Sequence, residues 1–138
     1  MKILNYLLAA VFFLFAWLQR NDVDPEIYSK PSFGNPTLDS ALWLIFYAII
    51  GVGFLLINFK KLPMWYFALA FIACLAEMYS SGPGLWENLF GDRPFTLTQV
   101  SMSSDDSRVE LTREFFGAVI ALAAVIFQFW QKKRRSKN

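Results

Sequence analysis

The sequence predicts an all-α integral membrane protein, a bundle of four transmembrane helices with both termini in the cytoplasm. Of its 138 residues, 56% are hydrophobic and only 17% are charged, with a mean hydropathy of +0.38. These values exclude a disordered chain and argue against a soluble enzyme. Aromatic residues make up 18% of the chain. A chain this short has no large core, so such a content points to lipid and its interfaces.

Four apolar stretches, nearly free of charge, divide the chain. They cover residues 3–19, 41–59, 63–80 and 114–131, and each is long enough to cross a hydrocarbon core of about 30 Å as a helix. Ser107 and Glu110 have capping-box spacing, so we expect the fourth helix to begin at Ser107 and to run over 107–131. The four helices are predicted to form a single domain spanning residues 1–138.

The first apolar stretch follows Lys2 and has a second interpretation, a cleaved signal peptide. No Ala-x-Ala type of cleavage site precedes Arg20, and the stretch ends in Trp17-Leu18-Gln19. We therefore favour a membrane helix for this stretch.

The basic residues predict the orientation of the helices. Eight lie on one predicted side of the membrane: Lys2, Lys60, Lys61, Lys132, Lys133, Arg134, Arg135 and Lys137. Five lie on the other: Arg20, Lys30, Arg93, Arg108 and Arg113. The positive-inside rule assigns the first group, and with it both termini, to the cytoplasm. All eleven acidic residues fall on or near the opposite face. The expected location is a plasma membrane or a bacterial inner membrane.

Two segments are predicted to lie outside lipid on the acidic face. Residues 20–40 are rich in proline and are expected to form a loop. Residues 81–106 are also expected to be a loop, because Ser81-Gly82-Pro83-Gly84 is typical of a helix breaker. Within that loop, the apolar residues of 85–90 suggest a short amphipathic piece at the membrane interface or over the bundle. Residues 95–102 alternate loosely and could be extended.

Small and polar residues repeat at helical spacing, and such a stripe in a membrane helix usually marks contact with another helix. The predicted inward residues are Asn5, Ala9, Phe12, Ala16 and Gln19 in the first helix, and Trp43, Tyr47, Gly51, Phe54 and Asn58 in the second. They are Tyr66, Ala70, Ala73 and Glu77 in the third, and Glu110, Glu114, Gly117, Ala121, Ala124 and Gln128 in the fourth. The amide side chains are expected to form hydrogen bonds between helices.

Glu77 differs from the other inward residues because a carboxylate within an apolar helix is costly and often functional. One interpretation is an ion pair with Arg113 or Arg20 that fixes helix register. The other is a pocket for a cation or a cationic headgroup. The candidate ligand-binding or ion-binding residues are Asn21, Asp22, Asp24, Glu77, Glu110, Arg113 and Glu114.

Metal chemistry is restricted by composition. The chain has no His and one Cys, Cys74, so any metal would be bound by oxygen ligands, as Ca²⁺ or Mg²⁺ are. No other cofactor is expected, and no catalytic residue is assigned because no nucleophile arrangement is recognisable.

Three elements carry a resemblance to a known family: Gln19-Arg20-Asn21-Asp22-Val23-Asp24-Pro25, then Trp43-x-x-x-Tyr47, then Glu110-x-x-Arg113-Glu114-x-x-Gly117. They resemble the transmembrane protein 220 family, and the resemblance covers the whole four-helix layout. This sequence differs by a Pro- and Gly-containing stretch between Tyr28 and Leu42. The resemblance implies a small multi-pass membrane protein and no particular activity.

Three hypotheses about function follow. The first is a non-enzymatic membrane protein whose acidic outer cluster organises the bundle and binds a partner or a small ligand. The second is a small cation- or proton-coupled transporter that uses Glu77. The third is an enzyme acting on lipid with a divalent cation. The expected surroundings are the lipid bilayer, with a membrane protein or a second copy as partner; nucleic acid is not expected.

Overall fold

A computed structural model describes residues 1–20, 35–97 and 107–135. Within these ranges the chain forms four helices and no strand: α1 (Lys2–Gln19), α2 (Pro36–Leu56), α3 (Met64–Phe90) and α4 (Ser107–Arg135). Three of them contain stretches long and apolar enough to cross a membrane: Lys2–Gln19, Thr37–Leu56 and Met64–Phe90. In α4, residues 115–131 carry no charge. The protein is a helical membrane bundle, as the sequence predicts.

The helices pack as two antiparallel hairpins. α1 lies against α2, α3 lies against α4, and the hairpins meet along α2 and α4. Large side chains fill the centre, with Phe12, Ile50, Phe54 and Ile57 almost completely buried. Phe12 stacks on Phe54 with ring centroids 5.9 Å apart, which joins α1 to α2.

The predicted inward stripes agree with the observed burial. In α1 the buried residues are Asn5, Ala9, Phe12 and Ala16. In the second stripe all five residues, from Trp43 to Asn58, are buried. Ala73, Glu114 and Gly117 are the partly exposed members of the other two stripes, together with Gln19 in the first. Helical spacing of small and polar residues therefore identified the helix contacts.

The expected hydrogen bonds between helices are present at one end of the bundle, which we call the amide end (Asn5, Asn58, Gln128 and Gln131). Asn5 Nδ2 donates to Asn58 Oδ1 at 2.8 Å. Gln128 accepts from the Tyr66 hydroxyl at 2.7 Å and donates to the Ile50 carbonyl at 3.0 Å. These bonds connect α1 to the turn after α2, α3 to α4, and α4 to α2.

The first turn of α2 corrects the prediction that residues 20–40 form a loop and that the helix starts at 41. The helix begins at Pro36, because the Asn35 side chain caps it by accepting from the backbone N–H groups of Thr37 and Leu38 at 3.0 and 3.3 Å. Pro36 at the first position loses no helical hydrogen bond. The start was missed because these residues are polar and the expectation followed hydropathy alone.

The largest correction concerns α3. Ser81-Gly82-Pro83-Gly84 does not end the helix, which continues to Phe90 and includes the piece at 85–90 that was expected to be separate. The physical reason is the buried face: Glu77, Ser81, Gly84 and Asn88 continue the helical period against α4. This packing outweighs the backbone hydrogen bond that Pro83 removes.

The remaining differences lie at helix ends. α2 stops at Leu56 rather than at 59 and is followed by a turn in which Lys60 N–H donates to the Leu56 carbonyl at 2.8 Å. α3 begins at Met64, one residue after Pro63. The described part of α4 runs from Ser107 to Arg135 and so extends past the predicted end at 131. Four basic residues in its last turn favour this extension through the helix dipole.

Candidate ligand-binding cavity

A cavity of about 850 Å³ lies at the end of the bundle opposite the amide end. It forms where α1 ends and α2 begins, beside the middle of α3 and the first half of α4. Its volume falls within the range typical of small-molecule sites. The lining residues are Phe15, Leu18, Gln19, Trp43, Tyr47, Glu77, Leu97, Glu110, Arg113, Glu114, Phe116, Gly117 and Ile120.

Three glutamates belong to this lining, and we call this end of the bundle the glutamate end (Glu77, Glu110 and Glu114). Glu77 of α3 is 3% exposed and Glu110 of α4 is 4% exposed. Glu110 and Glu114 are four residues apart and therefore share one face of α4. The structure thus brings these three candidate residues and Arg113 around one cavity. The other candidates, Asn21, Asp22 and Asp24, lie outside the described residues.

The hydroxyl groups of the next turn surround the backbone of Glu77. Ser81 Oγ donates to the Glu77 carbonyl at 2.6 Å, and Ser80 Oγ donates to the same carbonyl at 3.1 Å. Ser80 Oγ also lies 3.4 Å from Glu77 Oε2. The two serine hydroxyls therefore find an acceptor within α3 itself, in the turn before Pro83.

The two arginines expected near Glu77 occupy different places. Arg113 lines the cavity, and its guanidinium donates to the Leu97 carbonyl at 2.6 Å. The Arg20 guanidinium lies over the ring of Trp17, 3.4 Å from the ring centroid, a cation–π contact within its own end of α1. Arg113 is therefore the arginine that shares the cavity wall with Glu77.

A non-helical strap, residues Gly91–Leu97, follows α3 and reaches the cavity through Leu97. Asn88 holds the strap: its Nδ2 donates to the Thr96 carbonyl at 2.9 Å, and its Oδ1 accepts from the Thr96 N–H at 3.2 Å. The buried Arg108 of α4 donates to the Pro94 carbonyl at 3.1 Å. Side chains of both α3 and α4 thus fix the strap beside the cavity.

Asn88 also connects the two helices of the second hairpin. Its Nδ2 donates to Thr112 Oγ1 at 3.0 Å, and the Thr112 hydroxyl donates to the Arg108 carbonyl at 2.5 Å. Both Asn88 and Thr112 are buried. The strap, α3 and α4 therefore form one hydrogen-bonded unit at the glutamate end.

An aromatic wall comes from the first hairpin. Phe15 and Tyr47 pack edge to face with centroids 5.8 Å apart, and Trp43 lies 6.0 Å from Tyr47. Trp43 is 8% exposed, and in the described part of the chain its indole N–H has no hydrogen-bond acceptor. A buried donor without an acceptor is costly. Trp43 therefore holds a buried hydrogen-bond donor within the cavity wall.

The mouth of the cavity reaches the outer surface of the bundle. Leu18 of α1 and Phe116 and Ile120 of α4 line the cavity and are also exposed. In a membrane protein, an exposed apolar surface between two helices faces the acyl chains of the lipid. Part of the cavity lining is therefore apolar surface exposed on α1 and α4.

Metal binding depends on how closely the acidic groups gather. Among residues 1–20, 35–97 and 107–135, no group of three or more His, Cys, Asp or Glu side chains could hold a metal ion. Glu77, Glu110 and Glu114 do not form such a group. The expected Ca²⁺ or Mg²⁺ site also included Asp22 and Asp24, of which the structure gives no description.

Sequence reasoning missed two residues that build the site, Asn88 and Arg108. Asn88 falls in the loop predicted over residues 81–106, and Arg108 falls in the first turn of the predicted fourth helix without a role in the site. The signal for Asn88 was its position 11 residues after Glu77, three helical turns along the same face. Arg108 carried no comparable signal, since its role is a contact with the strap.

Comparison with known proteins identifies one family. The family described as "Transmembrane family 220, helix" matches residues 11–130, which include the second half of α1, all of α2 and α3, most of α4 and the whole cavity lining. No curated protein and no solved structure matches the chain.

Proposed function

This chain belongs to transmembrane family 220, and we propose that it is a non-enzymatic membrane protein that binds an amphiphilic molecule of the bilayer in the cavity at its glutamate end. The observation that carries the proposal is the cavity itself. It combines buried carboxylates with an aromatic and aliphatic wall, and its mouth lies on the lipid-facing surface.

The two kinds of wall match the two parts of an amphiphile. Phe15, Leu18 and Ile120 provide apolar surface on which a hydrocarbon chain can pack. The glutamates and Arg113 of the lining supply the polar and charged surface for a headgroup. The lateral mouth allows such a molecule to enter from the bilayer without crossing water.

The proposal includes an orientation. With both termini in the cytoplasm, the glutamate end faces the non-cytoplasmic side, where the acidic residues concentrate. The ligand would then come from the non-cytoplasmic leaflet. The proposal includes no chemical step, and among the described residues the lining holds no nucleophile paired with a base.

The test places a large side chain among the exposed residues that line the cavity. Wild type, Ile120→Trp and Ile126→Trp are reconstituted in vesicles of equal parts phosphatidylethanolamine, phosphatidylcholine and phosphatidylglycerol. They are then extracted in mild detergent, and the retained lipid is quantified by mass spectrometry. Ile126 is the matched control, because it is 53% exposed on the same helix and does not line the cavity. Ile120→Trp should lower total retained lipid at least about fivefold. Equal retention in all three proteins would refute the proposal.

A second function, cation- or proton-coupled transport, is favoured by one observation. Glu77 is nearly buried within an apolar helix and lines a cavity that contains two more carboxylates, an arrangement used by proton relays. In proteoliposomes, Glu77→Gln should abolish proton-coupled flux while the protein stays folded. Glu87→Gln, an exposed position on the same helix, should leave the flux unchanged. Absence of flux in the wild type would refute the transport function.

A further inference from the structure

We propose that the basic surface at the amide end of the bundle binds the headgroup of an anionic phospholipid. This surface lies at the opposite end from the cavity, and the inference does not depend on the proposed function. Its residues come from the start of α1, the turn after α2 and the last turn of α4. We call them the basic collar: Lys2, Lys60, Lys61, Lys132, Lys133 and Arg134.

The hydrogen bonds of the amide end bring these three parts of the chain together. Asn5, one turn after Lys2, donates to Asn58 at 2.8 Å and to Gln131 at 3.0 Å. Asn58 comes shortly before the two lysines of the turn, and Gln131 comes directly before the basic end of α4. The collar residues therefore flank one buried polar contact, although they are far apart in sequence.

Arg135 connects the end of α4 to the same turn. Its guanidinium donates to the Ile57 carbonyl and to the Asn58 carbonyl, the latter at 3.4 Å. Both carbonyls follow the last residue of α2, and the C-terminal end of a helix carries a partial negative charge. The charge of Arg135 is thus used within the fold, and for this reason it is not counted in the collar.

The collar side chains are exposed, apart from the half-buried Lys132. The Lys132 ammonium lies 5.2 Å from the ring centroid of Phe67, and the Arg134 guanidinium lies 4.5 Å from that of Trp130. A cation–π contact attracts a cation to a ring without cancelling its charge. These contacts therefore hold two of the positive charges at the helix surface and leave them available to an anion.

The described parts of the chain place no acidic residue at the amide end. α1 contains none, α2 contains none after Asp39, and α4 contains none after Glu114. In α3 the first acidic residue is Glu77, about 16 Å along the helix from Tyr66 of the amide end. No carboxylate of the described residues competes for the collar, so its charges favour an anion from outside the protein.

Exposed aromatic side chains favour a lipid as the source of that anion. Phe59, Trp65 and Trp130 are exposed beside the collar. Tryptophan is typical of the boundary between hydrocarbon and headgroups, which places the collar at the depth of the lipid phosphates. Basic clusters at this depth attract anionic lipids. A phospholipid could meet the collar with its phosphate while its acyl chains pack on the apolar sides of the same helices.

The experiment uses the vesicles described above and measures the composition of the retained lipid. Wild type should retain phosphatidylglycerol with at least about fivefold enrichment over both zwitterionic lipids. Lys60→Gln/Lys61→Gln and Lys133→Gln/Arg134→Gln should each remove most of this enrichment. High salt should lower it as well, because these charges are exposed.

The matched control is Arg20→Gln/Arg93→Gln. It removes the same amount of charge from exposed positions at the other end of the bundle, and it should keep the full enrichment. Retention of the three lipids in the vesicle proportions by wild type would overturn the inference. An equal loss in the control variant would also overturn it, because net charge and not the collar would then attract the lipid.

A second measurement separates a lipid from a free phosphate. In neutral detergent, phosphatidylglycerol should raise the thermal unfolding midpoint of wild type, and glycerol phosphate at the same concentration should not. Equal stabilisation by the two would refute a lipid site.

The Ile120→Trp variant separates this inference from the proposed function. It should lower total retained lipid and leave the collar-dependent enrichment of phosphatidylglycerol unchanged. If Ile120→Trp retains as much total lipid as wild type while the collar variants lose phosphatidylglycerol, the proposed function fails and the collar inference stands. If Ile120→Trp loses lipid while the collar variants retain full enrichment, the collar inference fails and the proposed function stands.

Discussion

Asn5 and Gln131 hold each other by two reciprocal hydrogen bonds, although 126 positions separate them in the chain. Asn5 Nδ2 donates to Gln131 Oε1 at 3.0 Å, and Gln131 Nε2 donates to Asn5 Oδ1 at 2.8 Å. Asn5 Nδ2 also donates to Asn58. All three side chains are buried. Three hydrogen bonds between buried amides therefore connect the first helix, the last helix and the turn after α2 at the amide end.

Asn5→Leu should lower the free energy of unfolding by about 1–3 kcal/mol, because it leaves the amides of Gln131 and Asn58 buried with fewer partners. Thermal or denaturant unfolding in detergent measures this change. Leu7→Ala, at an exposed position of α1, is the control and should have little effect. An unchanged stability for Asn5→Leu would mean that the hydrogen bonds contribute nothing net. The double variant Asn5→Leu/Gln131→Leu should recover part of the lost free energy of unfolding, because it removes the Gln131 amide that the single variant leaves unsatisfied.

Two glycines in α3 provide a matched pair. A Cβ at Gly84 would overlap the Leu111 side chain of α4, whereas a Cβ at Gly82 would meet nothing within 4 Å. Gly84→Ala should therefore destabilise the protein by about 1–3 kcal/mol. Gly82→Ala should be neutral or stabilising by up to about 1 kcal/mol, because alanine favours the helix. Comparison of the unfolding midpoints of the two variants tests the close approach of α3 to α4. Equal effects would contradict it.

The inward faces of the helices could be predicted from sequence because the evidence for them is local. Small and polar residues repeat at helical spacing, and a residue such as Asn5 or Gln128 is costly in lipid unless it faces another helix. Both side chains are buried and hydrogen-bonded between helices. Nothing beyond periodicity and the cost of a polar group in lipid was needed.

The continuation of α3 could not be predicted in the same way. Local preference at Gly82-Pro83-Gly84 favours a break, and the opposing contribution comes from contacts distant in sequence, Gly84 against Leu111 and Asn88 against Thr112. The cavity was also only partly foreseeable. Its acidic residues followed from helical phase, but its apolar mouth depends on how the two hairpins meet.

The strap should depend on Asn88. Asn88→Ala removes the acceptor of the Thr96 N–H and the donor to the Thr96 carbonyl, so exchange of the Thr96 amide hydrogen should accelerate by about tenfold or more. Hydrogen–deuterium exchange measures this, with Glu87→Ala as the control at the adjacent exposed position. Amides at the amide end should keep their protection. Uniform acceleration over the whole chain would instead mean that Asn88 supports the global fold and not the strap specifically.

The predicted orientation can be tested by cysteine labelling, because Cys74 is the only cysteine of the chain and is fully buried. In a Cys74→Ala background, Arg93→Cys after α3 should react with a membrane-impermeant maleimide added outside intact cells. Lys61→Cys before α3 and Lys133→Cys near the end of α4 should react only after the membrane is permeabilised. The reverse pattern would invert the bundle and turn the glutamate end toward the cytoplasm. Labelling of Arg93→Cys and Lys133→Cys from the same side would mean that α4 does not cross the membrane.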